Sequence, residues 1–182
     1  MPDPSLSVPS GGWPTWAWAA TVAGLAAVLY VLTAARDIVV GDTGDLVTAA
    51  LTLGVAHAPG YPLLTMLGHV LSWLPVGPLP FRVNLIAVLS GAGAVGVTFV
   101  TTSRLGAPRP AAIVGALLFA STPLFWRWSL AAEAFPLNNL LVSIVIYGLV
   151  CWQASPDEPR FLAISALAAG LALSNHLTII LR

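Results

Sequence analysis

The sequence predicts an all-α membrane protein, a multi-pass transmembrane helix bundle. Three observations carry that expectation. Hydrophobic residues make up 58% of the 182 positions and charged residues only 8%, against roughly 25% charge in an ordinary soluble domain. The mean hydropathy is +0.90. Apolar runs approaching the ~20 residues that cross a bilayer recur along the chain, separated by short polar or proline-rich pieces. Lipid is the solvent expected for most of this surface.

The elements follow in order. Residues 1–14 are polar and rich in Pro, Ser and Gly, as in a disordered tail, and lack the basic start of a cleaved signal peptide. Residues 15–182 form the membrane domain, with about five spans. The first is 16–33, where Trp13, Trp16 and Trp18 suit a membrane interface. Residues 36–80 then form a loop. Its part 62–74 is apolar but short, which suits a re-entrant or interfacial helix, and the proline-rich turn 75–80 closes it. Further spans are expected at 83–102, 111–125, 135–152 and 161–181. In the first of these, Gly91, Gly93 and Gly96 allow close helix approach. Asn175 and His176 interrupt the last. The chain stops at Arg182 directly after that apolar run, which reads as a fragment of a longer protein.

Charge and cysteine content exclude several classes. The formal net charge is zero and the seven basic residues are all arginine, so no basic face invites nucleic acid. The single cysteine, Cys151, rules out an internal disulfide and a cysteine-based metal site. Counting arginines on either side of the spans does not decide orientation. Alternation of the spans nevertheless groups Asp37, Asp42, Asp45 and Glu133 with Arg127 on one side.

The densest polar chemistry lies at Asp42 and Asp45. If a helix starts near Thr43, the two acids stand where a capping box has its cap and its third residue, and both suit the positive end of the helix dipole. The other reading is functional. A carboxylate beside a membrane can serve as a general base or bind a divalent metal. His57 and Tyr61 sit in a turn with two prolines and a glycine, either as a rigid stop or facing the same cavity as the acids. His69, inside the short apolar helix, reads as a packed, hydrogen-bonded histidine. Arg127 and Glu133 form either an interfacial ion pair anchored by Trp126 and Trp128, or a phosphate-holding arginine with a second acid. Asn175 and His176 lie at a depth where polar groups face a cavity or another helix.

Five segments together resemble a known family: Gly41-Asp-Thr-Gly-Asp-Leu, His57-Ala-Pro-Gly-Tyr-Pro-Leu, Arg82-Val-Asn84-Leu, Ala132-Glu133-Ala-Phe-Pro-Leu-Asn138 and Ser174-Asn-His176-Leu-Thr. In this order they are similar to a bacterial family of uncharacterised membrane proteins whose eukaryotic member is transmembrane protein 260, a protein O-mannosyltransferase. Asp45 stands where that pattern commonly has Glu, and Ala58 where it has Pro. The resemblance implies a GT-C type glycosyltransferase, of which this chain is the amino-terminal portion with a helical first extracytoplasmic loop. It implies a polyprenyl-phosphate sugar donor, mannose among the candidate sugars, and a hydroxyl acceptor on protein or another envelope component. The implied location is the cell inner (plasma) membrane, with the active face extracytoplasmic. By the same resemblance Asp45, ahead of Asp42, is the catalytic base. His57, Tyr61, Arg82, Asn84, Glu133 and His176 match substrate-binding motifs. Arg127 or Arg82 would steady the phosphate leaving group. No cofactor is implied with certainty. The rival classes are a transporter or flippase, for which an internal repeat would speak, and a non-catalytic membrane subunit.

Overall fold

The computed structural model describes residues 13–176; of the tail expected at 1–14, residues 1–12 lie outside them. Among the described residues the fold consists of eight helices and no strands: α1 (Thr15–Thr33), α2 (Thr43–Thr52), α3 (Pro62–Ser72), α4 (Leu79–Arg104), α5 (Arg109–Ser121), α6 (Pro123–Trp128), α7 (Ala134–Ala154) and α8 (Pro159–Asn175). The all-α membrane class is as the sequence predicts. Helices α1, α4 and α7 are long and apolar enough to cross a membrane.

Helix α4 is the centre of the bundle. It packs against α1 and α7 along its length and against α3 and α5 at its ends. Its window is two-thirds buried, whereas α1 is mostly open to its surroundings. Glycines set this packing. A Cβ at Gly96 would stand 3.1 Å from the Ala23 Cβ on α1, and one at Gly93 would stand 3.1 Å from Leu140 on α7. In lipid such close approach matters, because van der Waals contact and interhelical hydrogen bonds, not water exclusion, hold helices together. One such bond runs from the Tyr30 hydroxyl on α1 to the Ala120 carbonyl at the end of α5, at 2.7 Å.

Two expected spans come out differently. The run 111–125 is divided into α5 and α6 because Pro123 has no N–H to continue the ladder. The 13 residues of α5 rise only ~20 Å, short of a ~30 Å hydrocarbon core. Helix α8 ends at Asn175, and the rest of the expected fifth span, 177–181, lies outside the described residues.

The loop 36–80 holds the helices α2 and α3, which pack on each other and on α4. Helix α3 has only 11 residues, in keeping with the interfacial reading. The polar return points all meet at one end of the bundle. There the Ala35 N–H donates to the Leu130 carbonyl at 2.9 Å, tying the exit of α1 to the segment before α7. The Asn175 amide, buried at the end of α8, donates to the Ala134 carbonyl at 3.0 Å.

Candidate functional site

Asp42 occupies the N-cap position of α2 and Asp45 lies in its first turn, but neither carboxylate caps the helix. The capping-box expectation is therefore corrected. The Asp45 Oδ2 instead accepts two bonds from His57, one from its backbone N–H at 2.8 Å and one from ring Nδ1 at 2.7 Å. Helix α2 ends on Leu53 in the left-handed region, φ 50°, and the chain doubles back so that His57 returns over the start of the same helix. With Nδ1 donating to Asp45, Nε2 accepts from the Tyr61 hydroxyl at 3.2 Å. The Asp42 Oδ2 lies 3.5 Å from that same Nε2.

The charges tune one another. The two bonds from His57, its backbone N–H first, hold the Asp45 carboxyl below its ordinary range. The bond to Asp45 raises the His57 imidazole, with the negative charges of Asp42, Asp45 and Glu133 adding to it. Burial, then the same negative charges, raises the Tyr61 phenol.

Glu133 stands immediately before α7 and is buried. The nearby Asp42 N–H favours its charged form, the weakest of the influences on it. Gly41 stands beside it: its φ of +123° strains any other residue, while an added Cβ would be in ordinary contact with Glu133 Oε1 at 3.4 Å. Burial, then the charge of Asp42, pushes the Glu133 pKa from 4.5 to about 7. A carboxyl raised in this way binds its proton more tightly in the folded than in the unfolded state. Its contribution to stability is full below pH 4.5 and is lost as pH rises towards 7. The thermal midpoint should therefore fall across that window in the wild type. Glu133→Gln, neutral throughout and of nearly the same size, should lack that component. An unaltered slope in the variant would remove Glu133 as its source.

Glu133, Asp42 and Arg127 line one cleft of about 680 Å³, with Thr33, Trp128 and Phe135 on its walls. The exposed Arg127 guanidinium lies over the Trp128 ring at 5.7 Å and makes no ion pair among the described residues. The expected Arg127–Glu133 pair is thus not formed, although the Arg127 charge does lower the Glu133 pKa. His176 joins from the end of α8, its ring 5.8 Å from Tyr61 and 5.4 Å from Phe135. The fold therefore gathers Asp42, Asp45, His57, Tyr61, Glu133, Arg127 and His176 at one end.

Two expected substrate-binding residues have other duties. Arg82 donates through Nε and both terminal nitrogens to the carbonyls of Ser72, Val76 and Gly77, closing the proline-rich turn. Asn84 is fully buried, and its amide bonds only backbone. His69 is hydrogen-bonded as expected, with Nδ1 2.8 Å from the Ala50 carbonyl. No group of three or more His, Cys, Asp or Glu side chains among the described residues is placed to hold a metal ion. Sequence reasoning passed over Phe135 and Gly41 as parts of the site. Their position beside Glu133 and Asp42 was the available signal.

Residues 42–182 match the family model described as the protein O-mannosyl-transferase TMEM260 N-terminal domain. The chain is 40% identical over 178 residues to protein O-mannosyl-transferase TMEM260 of Mus musculus, covering 94% of this chain and 25% of that protein. It is 26% identical over 170 residues to the Dictyostelium discoideum protein of the same name, covering 85% of this chain and 21% of that one. It thus spans about a quarter of the length of these relatives. No solved structure matches. The match over residues 42–182 shows that the chain belongs to the TMEM260 N-terminal domain family.

Proposed function

We propose that this chain carries the acid site of a membrane glycosyltransferase, which moves a sugar from a polyprenyl-phosphate donor to a hydroxyl on protein at the extracytoplasmic face. The names of its relatives, protein O-mannosyl-transferases, favour mannose. The observation that carries the reading is the cleft in which Asp42 and Arg127 stand together beside buried Glu133.

The chemistry is a single displacement. Asp42 takes the proton of the acceptor hydroxyl, and that oxygen forms a bond to the anomeric carbon. The bond from that carbon to the donor phosphate breaks, and the phosphate leaves with the electron pair. Arg127, forked and uncommitted to any carboxylate, balances the charge that develops there. Asp42 replaces Asp45 as the first choice of base for a physical reason. The Asp45 Oδ2 already accepts two bonds from His57, which weaken it as a base. Asp45 and His57 instead hold the loop that presents Asp42. Among the described residues no observation favours the transporter reading, since the acids, His57 and Arg127 gather at one end of the bundle.

The test is transfer in membranes containing the protein, with a radiolabelled polyprenyl-phosphate sugar and an acceptor protein. Label is expected on protein hydroxyls. Labelling from a sugar nucleotide, and none from the lipid-linked sugar, would overturn the donor class.

A further inference from the structure

Asn84 lies on the first turns of α4, 0% exposed, and it cannot touch a substrate. Its two amide atoms nevertheless reach two segments remote in sequence. Nδ2 donates to the Ala35 carbonyl at 3.0 Å, and Oδ1 accepts the Ala132 N–H at 2.9 Å. Ala35 follows α1 and opens the strand of chain that delivers Asp42. Ala132 precedes Glu133, which shares the cleft with Asp42. The two segments also meet directly through the Ala35 N–H and the Leu130 carbonyl.

We propose that Asn84 is a positioning residue for the acid cleft: one buried amide, donating to one segment and accepting from the other, sets Asp42 relative to Glu133 and Arg127. This rests on the proposed transfer. An amide suits the task because its ends differ. A carboxylate would face the Ala35 carbonyl with a lone pair in place of a proton. A leucine would leave the part-buried Ala35 carbonyl without this donor and the buried Ala132 N–H without an acceptor. The helix that presents Asn84 is the most buried of the three membrane-length helices, so the reference point is rigid. Misplacement of reacting groups by about 1 Å is enough to cost roughly 10²-fold in rate.

A neutral carboxylic acid can imitate the amide, because its O–H donates and its carbonyl accepts. Asn84→Asp should therefore work when protonated and fail when ionised. The experiment measures transfer in membranes for the wild type, Asn84→Leu and Asn84→Asp from pH 5 to 9 (roughly, about two units either side of neutrality). Dividing each variant by the wild type at the same pH removes the titrations of His57 and Glu133. Asn84→Leu is expected to insert normally and to lose about 10²-fold in kcat. The Asn84→Asp ratio is expected to climb as pH falls. A wild-type rate in Asn84→Leu, or an Asn84→Asp ratio that stays low at pH 5, overturns the positioning role. The second holds even if the leucine variant fails to fold.

Hydrogen exchange supplies a readout independent of activity. Protection at 34–45 and 130–135 is expected to drop in Asn84→Leu. If the wild type shows no transfer, the proposed reaction fails. Unchanged exchange in both segments would then still overturn the role of Asn84.

Discussion

Asp42→Asn is expected to lower the proposed sugar transfer by about 10²–10⁴-fold, the range a positioned general base contributes. The asparagine keeps the size of the side chain but has no lone pair basic enough to take the acceptor proton. The fold should be insensitive to the change. The Asp42 carboxylate is 59% exposed and makes no cap bond, and its 3.5 Å approach to His57 is at the edge of an ion pair. Asp45→Asn should cost less. An amide oxygen at position 45 can still accept the His57 backbone N–H, so the loop survives in part, while the ring loses the charge that orients it. Initial rates at equal protein in membranes decide between them. Full activity in Asp42→Asn, with loss confined to Asp45→Asn, would return the base assignment to Asp45.

Gly148→Ala is expected to produce the largest loss of stability from a single methyl group. Helices α7 and α8 cross at this residue. A Cβ there would overlap the Ser165 hydroxyl and come within 2.9 Å of the Phe161 carbonyl oxygen. Ser165 cannot easily turn aside, because its hydroxyl bonds the Val145 and Phe161 carbonyls, each at 3.1 Å. The backbone of α8 must move instead, at a cost of about 1–3 kcal/mol or more. Gly115→Ala provides the contrast. No atom lies within 4 Å of its added Cβ, and alanine is favoured over glycine in a helix by about 1 kcal/mol. Thermal midpoints in detergent should fall for the first variant and hold or rise for the second. The reverse order would mean that α7 and α8 do not pack as described.

Much of the architecture was legible in the sequence, because hydropathy is a local, additive property. Spans near 16–33, 83–102 and 135–152 emerge as α1, α4 and α7 within a few residues. The short helix at 62–74 was also readable, and so was the gathering of Asp42, Asp45, Glu133 and Arg127 on one side, although the run 111–125 that the alternation counted as a span is divided into α5 and α6. The motif order carried the family.

The roles of the polar residues were not legible. Spacing alone makes Asp42 and Asp45 a capping box. The Asp45 carboxylate takes another partner because His57, 12 residues further on, returns with two donors at once. Arg82 and Asn84 belong to one short motif and look equally available, yet the first closes a turn and the second is enclosed between segments 48 and 49 residues away. The sequence by itself determined which stretches are apolar enough to cross a membrane and where the acids collect. Only the tertiary structure decided which acid is committed to holding the loop and which is free in the cleft. A buried donor or acceptor takes whichever partner the packed helices bring within 3 Å or so, and that proximity is a property of segments far apart in the chain.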